Sequence, residues 1–136
     1  MSHFLRKVLV LHMLLMVILL NINTIKAAIF DAPKEISVKI TNVLESNENL
    51  TVHCKSGDND LGVQVLKPNV IYEFNFKTNV WGSTLFFCGF SWSKEFHWFD
   101  IFKAKRDDCS ECPWSIFQAG PCLYGPKGIC YQWNRQ

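Results

Sequence analysis

The sequence predicts an all-β fold, a small antiparallel β-sandwich of about seven to eight strands stapled by disulfides. Three observations carry this reading. Short runs of alternating apolar and polar residues, bounded by Asn, Asp, Gly, Ser and Pro, recur from Ile36 onward. No window beyond the first 27 residues shows an apolar period of 3.6. Six cysteines, Cys54, Cys88, Cys109, Cys112, Cys122 and Cys130, all lie after that point. An even count in a small secreted chain reads as a disulfide framework.

The N-terminus has a separate character. Arg6 and Lys7 precede an almost wholly apolar run, Val8 to Leu20, interrupted by His12. At about thirteen residues this run is shorter than the ~20 that a membrane span needs. A polar stretch from Asn21 to Lys26 and the small pair Ala27-Ala28 follow. This is the layout of a secretory signal peptide, cut after Ala27 or Ala28. Residues 1–27 are therefore assigned to the leader and 28–136 to a single folded domain. The leader takes Arg6, Lys7 and Lys26 with it and no acid, so fourteen basic residues fall to eleven against twelve acidic ones, a formal charge of −1. The mature chain has no basic excess to suggest nucleic acid and no second apolar span for membrane insertion. A secreted, extracellular monomer is expected.

The strands follow in order. Ile36, Val38 and Ile40 alternate with Ser37, Lys39 and Thr41, and the run ends at Asn42. Glu45 to Asn49 is a polar turn, so this strand and the next are expected to form a hairpin. Leu50, Val52 and Cys54 alternate with Thr51, His53 and Lys55, and Ser56 to Asp60 then breaks the pattern with turn formers. Val63 to Leu66 resumes it, up to the turn Lys67-Pro68-Asn69. In Ile71 to Lys77, Tyr72, Phe74 and Phe76 share one face, and Glu73, Asn75 and Lys77 the other. Thr78 to Ser83 is a loop. Thr84 to Trp92 reads as a central strand, with Phe86, Cys88, Phe90 and Trp92 toward the core. After the turn at Ser93-Lys94-Glu95, His97 to Lys103 alternates Phe96, Trp98, Asp100 and Phe102 with His97, Phe99, Ile101 and Lys103. Cys112 to Gln118 is the last long strand. Gly120-Pro121 and Gly125 to Gly128 punctuate an irregular tail, in which Tyr131 to Trp133 is expected as a short edge strand. Ten of the eleven Phe and all five Trp follow the leader, enough aromatic volume to fill a core between two sheets.

These residues form a recognisable series. His53-Cys54-Lys55-Ser56, Asp58 to Gly62, Tyr72 to Phe76, Thr84 to Phe90, Phe99 to Phe102, Arg106-Asp107, Cys109 to Ile116 and Gly120-Pro121-Cys122 together resemble the plant self-incompatibility protein S1 family, whose members are often called S-protein homologues. The resemblance spans Ile36 to Cys122 and does not reach the tail from Leu123. Asn59 stands where the family usually has a third aspartate. The resemblance implies a small, secreted, plant-specific β-sandwich. For the founding members, in poppy, it implies a stigma ligand that causes rejection of self pollen.

Several motifs can be weighed on their own chemistry. Asp58-Asn59-Asp60 offers hard oxygen donors but lacks EF-hand spacing, so it reads as a turn and no metal is expected. Cys109-x-x-Cys112 with Cys122 and Cys130 lacks regular zinc spacing, and secretion favours disulfides. Six cysteines allow fifteen connectivities. The inward faces of Cys54 and Cys88 direct each toward the Cys109–Cys122 segment. The sequence does not choose among the pairings; the one expected is Cys54 with Cys122 and Cys88 with Cys112, leaving Cys109 and Cys130. His53 and His97 are the only histidines after the leader, His53 on the outward face of its strand and His97 on a sheet surface beside Trp98. Neither belongs to a catalytic cluster, so no catalytic residue and no cofactor is expected. Asn49-Leu50-Thr51 is an N-glycosylation sequon at a turn-to-strand boundary.

The expected function is that of a non-enzymatic extracellular ligand or recognition protein of the self-incompatibility type. It would bind a cell-surface receptor protein through the loops Ser56–Asp60, Thr78–Ser83 and Ala104–Glu111. Asp58, Asn59 and Asp60 form one candidate surface. Arg106, Asp107 and Asp108 form another, suited to electrostatic complementarity. The alternative is a secreted defence protein or a small secreted hydrolase or ribonuclease.

Overall fold

The computed structural model describes residues 2–30 and 32–135, and of residues 27–30 the backbone alone. It divides into two compact units, Met1–Ala32 and Pro33–Gln136. The first is one helix, α1 (His3–Phe30). Within it, His3–Lys26 is long and apolar enough to cross a membrane, a property that N-terminal signal sequences share. The helix does not stop at Leu20 but continues through the polar stretch Asn21–Lys26. The cut expected after Ala27 or Ala28 falls where side chains lie outside the described residues.

The second unit is built from nine described strands in two sheets. They are β1 (Glu35–Asn42), β2 (Leu50–Lys55), β3 (Asp60–Leu66), β4 (Ile71–Lys77), β5 (Leu85–Trp92), β6 (Glu95–Lys103), β7 (Glu111–Phe117), β8 (Gly120–Leu123) and β9 (Ile129–Cys130). One sheet has the order β4-β1-β7-β8-β9, the other β3-β2-β5-β6. Side chains alternate as the sequence predicts. Ile36, Val38 and Ile40 of β1, Leu50, Val52 and Cys54 of β2, and Phe86, Cys88, Phe90 and Trp92 of β5 are buried. They meet Trp114 and Ile116 of β7 in one core between the sheets.

Four expectations are corrected. β1 and β2 do not form a hairpin. β1 pairs with β4 and, in parallel, with β7, whereas β2 pairs with β3 and β5. The fully buried Asn42 makes the change of sheet. Its Nδ2 donates to the Glu48 and Leu66 carbonyls at 2.8 and 2.9 Å, and its Oδ1 accepts from the Leu44 amide at 3.1 Å. This satisfies the backbone where the chain leaves one sheet for the other. Second, Gly120-Pro121-Cys122-Leu123 is a strand paired to β7, not irregular tail. Third, the edge strand is Ile129–Cys130, not Tyr131–Trp133. Tyr131 and Trp133 instead leave the sheet and pack on the core. Gly120 permits this. Its φ is +151°, and a Cβ there would lie 2.0 Å from the Tyr131 carbonyl oxygen.

The fourth correction is the disulfide connectivity, which is Cys54–Cys88, Cys109–Cys112 and Cys122–Cys130. Packed sheets lie about 10 Å apart, and a disulfide bridges Cα atoms only about 4–7 Å apart. Here the two inward cysteines lie within reach of each other inside one sheet, with Cα atoms 4.0 Å apart. Cys54 and Cys88 are direct partners on neighbouring strands, as are Cys122 and Cys130.

A register shift explains β6. Phe86 pairs with Phe102 and Cys88 with Phe99, so β6 carries one extra residue between them. The bulge lets Phe99, Ile101 and Phe102 all face inward, where strict alternation would turn Phe102 out.

By chain-entropy scaling the bridge over 34 residues contributes about 4 kcal/mol and the one over 3 residues about 2 kcal/mol or less. Cys54→Ala/Cys88→Ala is therefore expected to lower unfolding free energy at least twice as much as Cys109→Ala/Cys112→Ala, measured by denaturant unfolding. Equal losses would contradict this ordering.

Candidate functional site

The strand directions gather four loops at one end of the sandwich. These are Ser56–Asn59 between β2 and β3, Thr78–Thr84 between β4 and β5, Ala104–Ser110 between β6 and β7, and Tyr124–Gly128 between β8 and β9. The first two share a cleft lined by Ser56 to Asn59, Lys77, Asn79 and Ser83 to Phe87. The second and third share another, lined by Gly82 to Leu85 and Lys103 to Lys105. The loop after β4 therefore stands between its two neighbours.

The first three of these loops are braced by their own side chains. In the first, the Ser56 hydroxyl accepts from the Asn59 and Asp58 amides at 3.1 and 3.4 Å, and the Ser56 amide donates to the Asn59 carbonyl at 2.8 Å. The Asp58 and Asn59 side chains are exposed and carry none of these bonds. Asp60 does the anchoring. Its Oδ1 accepts from the Gly62 amide at 2.9 Å and pairs with His53 Nε2 at 2.6 Å, while Lys55 lies 3.3 Å from Oδ2. The Gly62 amide first, and then His53, lower the Asp60 pKa from 3.8 to about 2. Gly62 occupies a bulge of β3 opposite His53 and Lys55, with φ +75°. Asp60-Leu61-Gly62 is thus a register device, and Asp58-Asn59 is the part turned to solvent.

The third loop behaves differently from its charge pattern. Arg106 and Asp107 were expected to face a partner, and the structure turns them inward. Their side chains are 22% and 1% exposed. Arg106 Nε and Nη2 each donate to Asp107 at 2.8 Å, and Nη2 also donates to the Asp100 carbonyl at 2.7 Å. The guanidinium lies over Phe99, Tyr131 and Trp114, 4.9, 5.0 and 5.5 Å from the ring centroids. Asp107 also accepts from the Lys103 amide at 2.8 Å. A run of four charged residues reads as solvated in sequence; nothing in it marks two of them as the floor of the loop. Asp108 and Lys105 remain exposed.

The histidines do not converge. His53 pairs with Gly89, and Gly89 with Trp98, on the outer face of the second sheet. His97 pairs with the inward Phe90. Expected on a sheet surface, it faces inward instead and stacks between Trp92 and Trp133, at 5.2 and 5.0 Å. The two imidazoles lie on opposite faces of one sheet. No group of three or more His, Cys, Asp or Glu side chains is placed to hold a metal among the described residues. Asn49 is exposed on the loop before β2, at the end of the sandwich opposite the braced loops.

The depressed Asp60 pKa sets a pH window. A carboxylate lowered on folding contributes stability above its ordinary value of 3.8, lost as pH falls through about 2. The Gly62 and His53 amide shifts are expected to move with a midpoint near 2 in an NMR titration, and Asp60→Asn to abolish that transition. A midpoint near 4 would contradict the bracing.

Comparisons with known proteins bear on the same features. Residues 37–133 match the family described as plant self-incompatibility protein S1, so the match continues past Cys122 through the tail that packs on the core. The chain is similar to S-protein homolog 5 of Arabidopsis thaliana, 45% identical over 99 residues, 71% of this chain and 77% of the relative. S-protein homolog 20 of the same plant is 45% identical over 105 residues, 74% and 78% of the two chains. A solved structure of self-incompatibility protein homologues, described as small, highly stable, secreted proteins from plants, has the same fold. It aligns with TM-score 0.57 and 22% identity over 76% of this chain and 98% of that one. A disulfide-stapled two-sheet sandwich carrying the Asp60-Leu61-Gly62 bulge, Cys54 and Arg106-Asp107 thus belongs to the plant self-incompatibility protein S1 family of S-protein homologues.

Proposed function

We propose that this S-protein homologue is a non-catalytic extracellular ligand that engages a plant cell-surface receptor protein through its loop end, in the manner of self-incompatibility ligands. The leader, residues 1–27, would be removed on secretion, leaving the 28–136 domain as a soluble monomer. The observation that carries this reading is the convergence of internally braced loops on one end of a stapled sandwich. Bracing lowers the ordering cost of binding. It also leaves Asp58, Asn59, Lys105 and Asp108 with side chains free of the loops' own hydrogen bonds. A glycan on Asn49 would project from the far end and leave this surface open.

The enzymatic alternative has less support. A ribonuclease-type reaction needs an acid and a base within reach of one phosphate, and His53 and His97 face opposite ways.

Fluorescently labelled mature protein is expected to bind plant protoplasts saturably. Asp58→Ala/Asn59→Ala is expected to weaken binding several-fold and leave the thermal midpoint unchanged, because neither side chain braces the loop. Unchanged binding would count against this loop as a contact surface. Turnover in a ribonuclease or hydrolase screen would move the reading to the enzyme.

A further inference from the structure

The loop between β4 and β5 carries Trp81, the most exposed of the five tryptophans at 83%. The other four are mostly or partly covered, and none exceeds 37% among those with a stated exposure. Trp81 has no hydrogen bond or ring contact among the described residues. Val80 beside it is also exposed. The loop that holds them out is tied by Asn79. Its Oδ1 accepts from the Ser83 amide at 3.0 Å, its Nδ2 donates to the Ser83 hydroxyl at 2.9 Å, and its amide donates to the Thr84 hydroxyl at 2.8 Å. Gly82, with φ +63°, completes the turn. A large aromatic held in water by an ordered loop costs solvation in the free protein. It loses little conformational freedom when a partner covers it.

Charge flanks the loop on both sides. On the cleft toward β2–β3 stand Asp58 and, at the end of β4, Lys77, neither with a side-chain partner among the described residues. On the cleft toward β6–β7 stands Lys105, whose ammonium has none either. Buried aromatic anchors inside a polar rim are the usual energetic centre of a protein interface, with Trp the strongest. We infer that Trp81 is the anchor of the receptor contact. Its occupant is a protein with an apolar pocket sized for an indole, basic groups on the side that meets Asp58 and acidic groups on the side that meets Lys105. The inference rests on the loop-end reading above and adds its anchor and the partner's charge pattern. An anionic bilayer fits less well, because Asp58 would face its headgroups.

The test uses labelled mature protein on plant protoplasts, with circular dichroism to confirm that each variant is folded. Trp81→Ala is expected to weaken saturable binding tenfold or more, and Asp58→Lys and Lys105→Glu several-fold each. Protease treatment of the protoplasts is expected to abolish binding, and phosphatidylserine–phosphatidylcholine vesicles to bind none. If folded Trp81→Ala binds like the wild type while Asp58→Ala/Asn59→Ala does not bind, the anchor is overturned and the loop-end reading stands. Vesicle binding that depends on Trp81 would overturn the protein partner. Absence of saturable wild-type binding would overturn both.

Discussion

The guanidinium of Arg106 is the interaction on which the loop end depends. It lies over Phe99 of one sheet, Trp114 of the other and Tyr131 of the tail, and its bidentate bond to Asp107 keeps the charge compensated where water is largely excluded. Removing one partner of such a buried pair costs about 3–5 kcal/mol, a large share of the stability of a domain this size. The position tolerates one imperfection, since Trp114 Nε1 has no hydrogen-bond partner among the described residues. Its ring is what the site uses. With the sheets joined here, the backbone at Lys103, Arg106 and Asp107 is fixed, and the loop above it can present Lys105 and Asp108 from a stable base.

The opposite end is closed by different chemistry. Asn42 uses its neutral amide to serve three backbone groups, while the Ser93 hydroxyl donates to Glu48 nearby. Between the two ends the Cys54–Cys88 bridge fixes β2 to β5. The outer faces differ as well. That of the first sheet carries Lys39 paired with Glu111 at 2.7 Å and Ser37 donating to Glu73 at 2.7 Å. The outer face of the second exposes Val63, Val65, Phe87, Phe96 and Trp98. The Phe96 ring lies against Gly89, where a Cβ would meet it at 3.0 Å.

Local pattern made much of this legible in the sequence. The alternation in β1, β2, β4 and β5 named the inward residues correctly, because period-2 burial is a local property of a half-buried strand. What stayed hidden was non-local. The parallel pairing of β1 with β7 joins segments some seventy residues apart, and no local signal marks it. The disulfide partners depended on which strands are neighbours, so an inward direction alone pointed Cys54 and Cys88 the wrong way. Arg106 and Asp107 were visible as charges, but their burial follows from three aromatic rings supplied by distant segments. Trp81 was legible as a residue and not as a feature, since exposure is invisible until the loop around it is built.

Arg106→Lys probes this guanidinium most directly, because it keeps the positive charge but loses the planar fork and the ring stacking. Chemical denaturation is predicted to show a loss of about 2–4 kcal/mol relative to wild type, with the indole environment of Trp114 altered in near-ultraviolet circular dichroism. A loss below about 0.5 kcal/mol, the range of an ordinary surface substitution, would contradict the claim that this guanidinium holds the two sheets and the loop end together.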